Sequence, residues 1–195
     1  MSDSVGTTHM AHDYFDAMYA DDSDPWRFDT SWYERRKYQI ALSLLPRQRY
    51  RRALEPGCSI GSFTELLATR CDELVAFDFH EPSVVNARDR LADAPQVHVR
   101  HETFPGFWPE GTGDLVVWSE VAYYLNTRGA SRAIAGLQNW LEPGGDLLAV
   151  HYTGATNYPR PGAEIATWLD SVGWLERTVE CIDPSFEAGV WTRSA

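Results

Sequence analysis

Ala53-Leu-Glu-Pro-Gly-Cys-Ser-Ile-Gly61 is the stretch that decides the fold. A short apolar run at residues 52–55 leads into it, and residues 62–70 read as a helix directly after it. A small-residue loop between a strand and a helix sits at the carboxyl end of the strand, where open α/β sheets bind ligands. A phosphate-cradling loop needs Gly-Lys-Ser/Thr, which is absent. A dinucleotide loop asks for glycine at positions 57, 59 and 62, and only Gly57 meets that spacing, with Ser59 and Ser62 at the others.

Outward from the loop the pattern alternates. Apolar, partly β-branched runs recur at residues 73–78, 97–102, 114–119 and 146–152, with helical stretches at 82–91 and 128–141. Strands that are apolar throughout and separated by helices imply a parallel sheet covered on both faces. Residues 103–113 carry Pro105, Gly106, Pro109 and Gly111 and read as a loop. After a helix at 163–172, strands at 175–182 and 186–192 are separated by only a few residues, which permits a hairpin but no parallel crossover. The expected fold is therefore α/β and Rossmann-like: an open, mostly parallel seven-stranded sheet with a C-terminal antiparallel hairpin. Upstream, residues 31–45 read as a helix, with Ser31 as N-cap, Glu34 closing a capping box and Pro46 ending it. One domain of residues 1–195 is expected, divided into a cap at 1–48 and an α/β core at 49–195.

Composition narrows the function. The 17 basic and 28 acidic residues leave a net charge of −11, which repels nucleic acid. Arg47, Arg49, Arg51 and Arg52 form the one basic run and read as a solvated loop before the first strand. No apolar run approaches the roughly 18 residues of a membrane span, and the N-terminus lacks a secretory layout, so a cytoplasmic location is expected. Cys58, Cys71 and Cys181 are widely spaced and odd in number, and the histidines show no ligand spacing; neither disulfides nor a metal are expected.

Glu55, Gly57 and Gly61 reproduce the spacing of a methyltransferase loop: an acid, one residue, Gly, three residues, Gly. Such a loop needs bare backbone, because a Cβ would hold off the adenosine and the amino-acid tail lying against it. Gly57-Cys-Ser-Ile-Gly61 is also Gly-x-Ser-x-Gly, a hydrolase nucleophile elbow, with Ser59 as nucleophile, His151 as base and Asp114 or Asp146 as third member. Against that reading, no strand precedes residue 51 and no His-Gly-Gly stretch offers oxyanion donors. The second strand favours a nucleoside: it ends in Asp78, placed to accept from both ribose hydroxyls, although Asp78 could instead cap the following helix. Phe79 and His80 then lie where an adenine ring stacks or bonds, and Glu102, Thr103 and Phe104 where its edge and face lie. After the fourth strand, Ser119-Glu-Val-Ala-Tyr-Tyr-Leu125 lacks the Asn/Asp-Pro-Pro-aromatic sequence of enzymes that methylate nucleobase amino groups. Ser119 and Glu120 are counted with the cofactor site.

With these residues in place the chain resembles the class I S-adenosylmethionine-dependent methyltransferases, and more narrowly the nodulation protein S family. The likeness rests on Asp24-Pro-Trp-Arg-Phe, Ser31-Trp-Tyr-Glu-Arg-Arg-Lys37, Leu54-Glu-Pro-Gly-Cys-Ser-Ile-Gly61, Leu141-Glu-Pro-Gly-Gly145, and His151 followed by Tyr158-Pro. It implies S-adenosyl-L-methionine as methyl donor, bound by Glu55, Gly57, Ser59, Gly61 and Asp78. Trp26 and Tyr33 lie near its methionine end by the same analogy. Ser59 departs from the glycine commoner at that position. The name-giving members N-methylate an amino sugar on a chitin-like oligosaccharide; for this chain the resemblance implies a small-molecule acceptor, methylated at nitrogen or oxygen. A cofactor-binding module without catalysis is the rival reading.

Methyl transfer from a sulfonium demands alignment and water exclusion, with a base needed only for a protonated acceptor. His151, at the exit of the fifth strand, is the expected base. Tyr124, Tyr152 and Tyr158 are expected to orient the acceptor or line its pocket, and Arg160 to meet an anionic group on it.

Overall fold

In a computed structural model, Arg27 and residues 30–195 are described. Helix α1 spans Trp32–Leu44, with the Ser31 hydroxyl accepting from the Glu34 amide as its cap. Then follow β1 (Tyr50–Pro56), α2 (Ser62–Ala68), β2 (Cys71–Asp78), α3 (Glu81–Arg90), β3 (Val97–His101) and β4 (Gly113–Ser119). A single 3-10 turn at Ala122–Tyr124 leads to α4 (Thr127–Trp140), and β5 (Leu141–Tyr152) follows without a break. A second 3-10 turn (Gly162–Glu164), α5 (Ile165–Asp170), β6 (Leu175–Ile182) and β7 (Phe186–Arg193) complete the chain.

The seven strands form one sheet in the order β3-β2-β1-β4-β5-β7-β6. β1 to β5 pair in parallel, and β7 pairs antiparallel with both β5 and β6. This is the expected Rossmann-like methyltransferase architecture. Alternate residues of each strand feed opposite cores, as the two-residue strand period requires. Leu54, Val75, Val116, Trp118 and Leu147 face one way, onto Ala133, Leu137 and Trp140 of α4 and Leu169 of α5. Ala53, Leu74, Leu115, Val117 and Leu148 face the other, onto Phe63 and Leu67 of α2 and Tyr38 and Ala41 of α1.

Three local expectations change. β5 starts at Leu141, five residues before the expected 146, because Leu141 pairs with Gly113 before the register shifts. Gly144 permits that offset with φ +77, a conformation that costs an L side chain energy. The expected helix at 163–172 divides into the 3-10 turn and the shorter α5. The basic run is not free in solvent. Arg47 pairs with Asp114 and Asp146, Arg49 with Asp72, Arg51 with Glu142 and Arg52 with Glu73, so it fastens the amino end of β1 to its neighbours. Among the described residues no helix is long and apolar enough to cross a membrane.

Candidate active site

Strand order reverses between β1 and β4, and crossovers leaving these strands in opposite directions open a crevice at their carboxyl ends. A cavity of about 370 Å³ lies there. It is lined by Glu55 from β1, Phe77 and Asp78 from β2, Ser119 and Glu120 around the end of β4, and Tyr152 from β5. Tyr33, Glu34, Lys37 and Tyr38 of α1 form one wall, and Val121, Tyr123, Tyr124, Leu125, Thr156 and Tyr158 another.

The loop after β1 is stapled to β2 by the Gly57 and Cys58 amides, which donate to the Phe77 carbonyl at 2.8 and 3.0 Å. Gly57 holds φ +73, and a Cβ there would stand 3.2 Å from Val121 Cγ2. Ser59 takes the same left-handed region with φ +47, despite its Cβ, as does Glu120 with φ +56. Non-glycine residues held there cost on the order of 1–3 kcal/mol, and such strain collects at functional sites. The turn aims the Ser59 amide at Asp78 Oδ2 (2.9 Å), while the His80 amide binds Oδ1 at 2.9 Å. Asp78 is thereby fixed at the rim, 8% exposed, and burial raises its pKa against these two donors. Glu55 is more deeply buried, at 2% exposure, and its Oε2 has no hydrogen-bond partner among the described residues. Burial, with repulsion from Asp78, pushes its pKa up to about 7. An orphaned carboxylate oxygen in a cavity wall is the counterpart of a cationic group, since an unmatched buried acceptor costs free energy.

A second polar cluster crosses from α1 to the end of β4. Lys37 Nζ, on a residue 1% exposed, lies 2.6 Å from Glu120 Oε1 and 3.1 Å from Glu34 Oε1. Glu120 Oε2 also accepts from the Tyr123 hydroxyl (2.8 Å) and the Tyr152 amide (3.0 Å). These charges and donors outweigh burial and hold the Glu120 carboxyl below its ordinary range. Tyr123, Tyr124 and Tyr158 pack ring to ring at 4.6–4.8 Å, making a rigid aromatic wall.

Most residues named from the sequence meet here. Tyr33, Glu55, Gly57, Ser59, Asp78, Phe79, Glu102, Thr103, Phe104, Ser119, Glu120, Tyr124, Tyr152 and Tyr158 all line the cavity. Trp26 lies outside the described residues. Four others stand outside the lining. Gly61 serves packing, since its Cβ would press on Ala87 of α3 and on Leu91 just after that helix. His80 caps α3, its Nδ1 accepting from the Ser83 amide, which also removes the need for Asp78 as cap. Arg160 lies with its guanidinium 4.8 Å from the centre of the Trp168 ring. His151 is 2% exposed, and its Nε2 accepts from the Ala122 amide at 3.1 Å. The lone pair a base would use is committed to the backbone, and burial lowers the imidazole pKa to about 4. His151 therefore fits neither the methyltransferase base nor the partner of a Ser59 nucleophile; it anchors the turn carrying Tyr123 and Tyr124.

That anchoring has a pH signature. His151 is neutral when folded with a pKa near 4 and titrates near 6.5 when unfolded, so the unfolded chain binds more protons between those values. Its contribution is fully present above 6.5 and is lost as pH falls towards 4. In thermal unfolding, His151→Leu is expected to flatten this acid loss, whereas His151→Gln, whose amide oxygen can still accept from Ala122, keeps more of the neutral-pH stability. An unchanged acid slope in the leucine variant would contradict the assignment.

Sequence reasoning missed Glu34, Lys37, Tyr38 and Tyr123. The signal was available: Glu34 and Lys37 are three residues apart, one helical turn, on the side of α1 that is buried. The Glu34 carboxylate was expected to close a capping box on Ser31; it turns to Lys37 instead.

The Nodulation protein S (NodS) family model matches residues 9–151. The chain belongs to that family. Nodulation protein S of Rhizobium tropici is 35% identical over 127 residues, covering 64% of this chain and 53% of that protein. The Sinorhizobium fredii protein is 32% identical, with 64% and 59% covered. The chain thus spans between half and two thirds of the length of these NodS relatives. Among solved structures, the N-methyltransferase NodS from Bradyrhizobium japonicum WM9, in complex with S-adenosyl-L-homocysteine, superposes with a TM-score of 0.83 at 26% identity. That match covers 94% of this chain and 98% of that one. A Pseudomonas syringae structure provisionally described as a methyltransferase is 37% identical with a TM-score of 0.74, covering 84% of this chain and all of the other.

Proposed function

We propose that the protein is an S-adenosylmethionine-dependent methyltransferase acting on a nitrogen of a small molecule. The observation that carries this reading is the pair of buried carboxylates, Glu55 and Asp78, at the ends of adjacent parallel strands, bracketing the left-handed turn at Gly57 and Ser59. That arrangement fits the donor's two ends. Glu55 with its orphaned Oε2 matches the ammonium of the methionine moiety, the bare Gly57 backbone admits the chain of the cofactor, and Asp78 matches the ribose hydroxyls. Phe79, Glu102, Thr103 and Phe104 line the adjoining stretch, suited to the adenine. When bound, S-adenosylmethionine supplies a methyl carbon whose bond to sulfur breaks as the acceptor's bond forms, the electron pair remaining on sulfur.

The protein's share of the work is placement and exclusion of water. The tyrosine wall shields the crevice, and electron-rich ring faces favour a neighbouring cation. Nitrogen is favoured over oxygen by charge: the cavity is lined by Glu34, Glu55, Asp78, Glu102 and Glu120, with Lys37 as the one basic side chain among the described lining residues. Such a field attracts amines and repels phosphorylated or carboxylated acceptors. The relationship to a NodS N-methyltransferase points the same way.

Incubation with tritiated S-adenosylmethionine and a panel of acceptors tests the reading: glucosamine, de-N-acetylated chitin oligosaccharides, benzylamine and phosphoethanolamine. Label is expected in the amines without a phosphate. Binding of S-adenosylhomocysteine without label transfer to any acceptor would leave a cofactor-binding module instead.

A further inference from the structure

Strand order divides the crevice between the two reactants. Glu55 and Asp78, matched above to the donor, stand at the tips of β1 and β2. On the other side of β1 come β4 and then β5. Tyr152 ends β5, so it lies about 10 Å across the sheet from the tip of β1 at the usual strand spacing. The half of the crevice over β4 and β5 is left to the acceptor. Room there is short. A cavity of about 370 Å³ is near the lower end of the range for small-molecule sites, roughly 300–1,000 Å³, and the donor must share it. The reacting nitrogen has to enter, while the body behind it stays at the mouth.

Tyr152 marks that mouth. It is the most exposed of the described lining residues, at 39%. It pairs with Phe186 of β7, and residues directly opposed in a ladder project from the same face of the sheet. Phe186 is buried edge-to-face against Tyr33 of α1, ring centres 6.2 Å apart. The Tyr152 ring therefore emerges beside α1, on the side that α1 covers. Three contacts hold it there. Its amide is tied to Glu120 Oε2 at 3.0 Å. A Cβ on Gly154 would overlap its phenol, and a Cβ on Gly162 would overlap its carbonyl oxygen. The loop after β5 thus closes on Tyr152 from behind, and only glycine lets it come so near.

We propose that Tyr152 is a specificity-determining residue, the platform on which the body of the acceptor packs while its nitrogen reaches inward. This rests on the amine methyltransferase reading above. A ring pinned at one angle favours a flat face laid against it, and a linear chain covers less of it. The residue therefore selects amines borne on a ring over linear amines. Its contact is remote from the reacting nitrogen and equally strong before and during transfer, so it acts on KM and leaves kcat nearly unchanged.

The test compares the fastest ring-bearing amine of the panel with butylamine, using tritiated S-adenosylmethionine. For Tyr152→Ala, kcat/KM for the ring-bearing amine is expected to fall about 10-fold through KM, as loss of one ring contact with its burial implies. Butylamine should change less than about 3-fold on the same grounds. Tyr152→Phe keeps the ring and should keep the preference. Gly154→Ala leaves Tyr152 in the chain but displaces its phenol, so it should lose the preference as well. All three variants should bind S-adenosylhomocysteine as the wild type does, because the donor lies over β1 and β2. An equal fall for both amines, an unaltered preference in Tyr152→Ala, or loss of S-adenosylhomocysteine binding in that variant overturns the role of Tyr152 and leaves the methyltransferase standing. Failure of the wild type to methylate any amine overturns both.

Discussion

Lys37→Met is expected to destabilise the protein by about 3–5 kcal/mol, the range for deleting one partner of a buried ion pair. Methionine replaces most of the stem, so lost packing is a minor part. The cost lies in Glu34 and Glu120, left facing one another with no cation between them. At this chain length, roughly 2–4 °C of melting temperature is lost per kcal/mol, so a fall on the order of 10 °C is expected in calorimetry or thermal circular dichroism. The deficit should narrow towards acid pH, because Glu34, with its raised pKa, takes a proton first and then needs no counter-charge. Adding Glu34→Gln to Lys37→Met should recover part of the loss, a coupling that a double-mutant cycle measures directly. A melting temperature like the wild type's would mean that the cluster contributes nothing net to folding.

Asp78→Ala is expected to weaken binding of S-adenosylhomocysteine by about 10- to 100-fold, as hydrogen bonds to a charged group contribute about 1.5–3 kcal/mol. Two effects add. The carboxylate proposed for the ribose is gone, and the Ser59 and His80 amides lose the acceptor that oriented them. The strained Ser59 turn is then free to relax, so the loop that receives the cofactor loses its shape as well. Asp78→Asn separates the two, since its amide keeps one acceptor but turns a donor towards a backbone N–H. Calorimetric titration reads both variants; unchanged affinity in the alanine variant would remove the ribose assignment.

How far these residues could be read from the chain follows from what each property depends on. The glycine loop is a local statement: Glu55, Gly57 and Gly61 fix a strand, a turn and a helix within nine residues, and the turn closes as read. Asp78 is likewise legible, because strand length and helix length together place it at the neighbouring strand tip. Even there the roles divide, Gly57 facing the crevice and Gly61 facing α3, since only packing decides which side of a turn a Cβ would strike.

His151 shows the opposite case. Its place at the end of β5 could be read, but not the direction of its ring, which depends on an amide 29 residues away. The cap of α1 is similar: Ser31 acts locally and was legible, whereas Glu34 chose between Ser31 and a lysine that is itself drawn to Glu120, 83 residues further on.

The amino-acid order by itself therefore determined the α/β alternation, the closing hairpin and the loop-and-acid signature at the first two strand tips. All of these arise from periodicity, turn chemistry and interactions between near neighbours. The tertiary structure alone decided which polar groups in the crevice are satisfied and by which partners, as Lys37 joins Glu34 to Glu120. Hydrogen-bond satisfaction depends on partners brought from α1, β4 and β5 at once, and no local pattern records that sum.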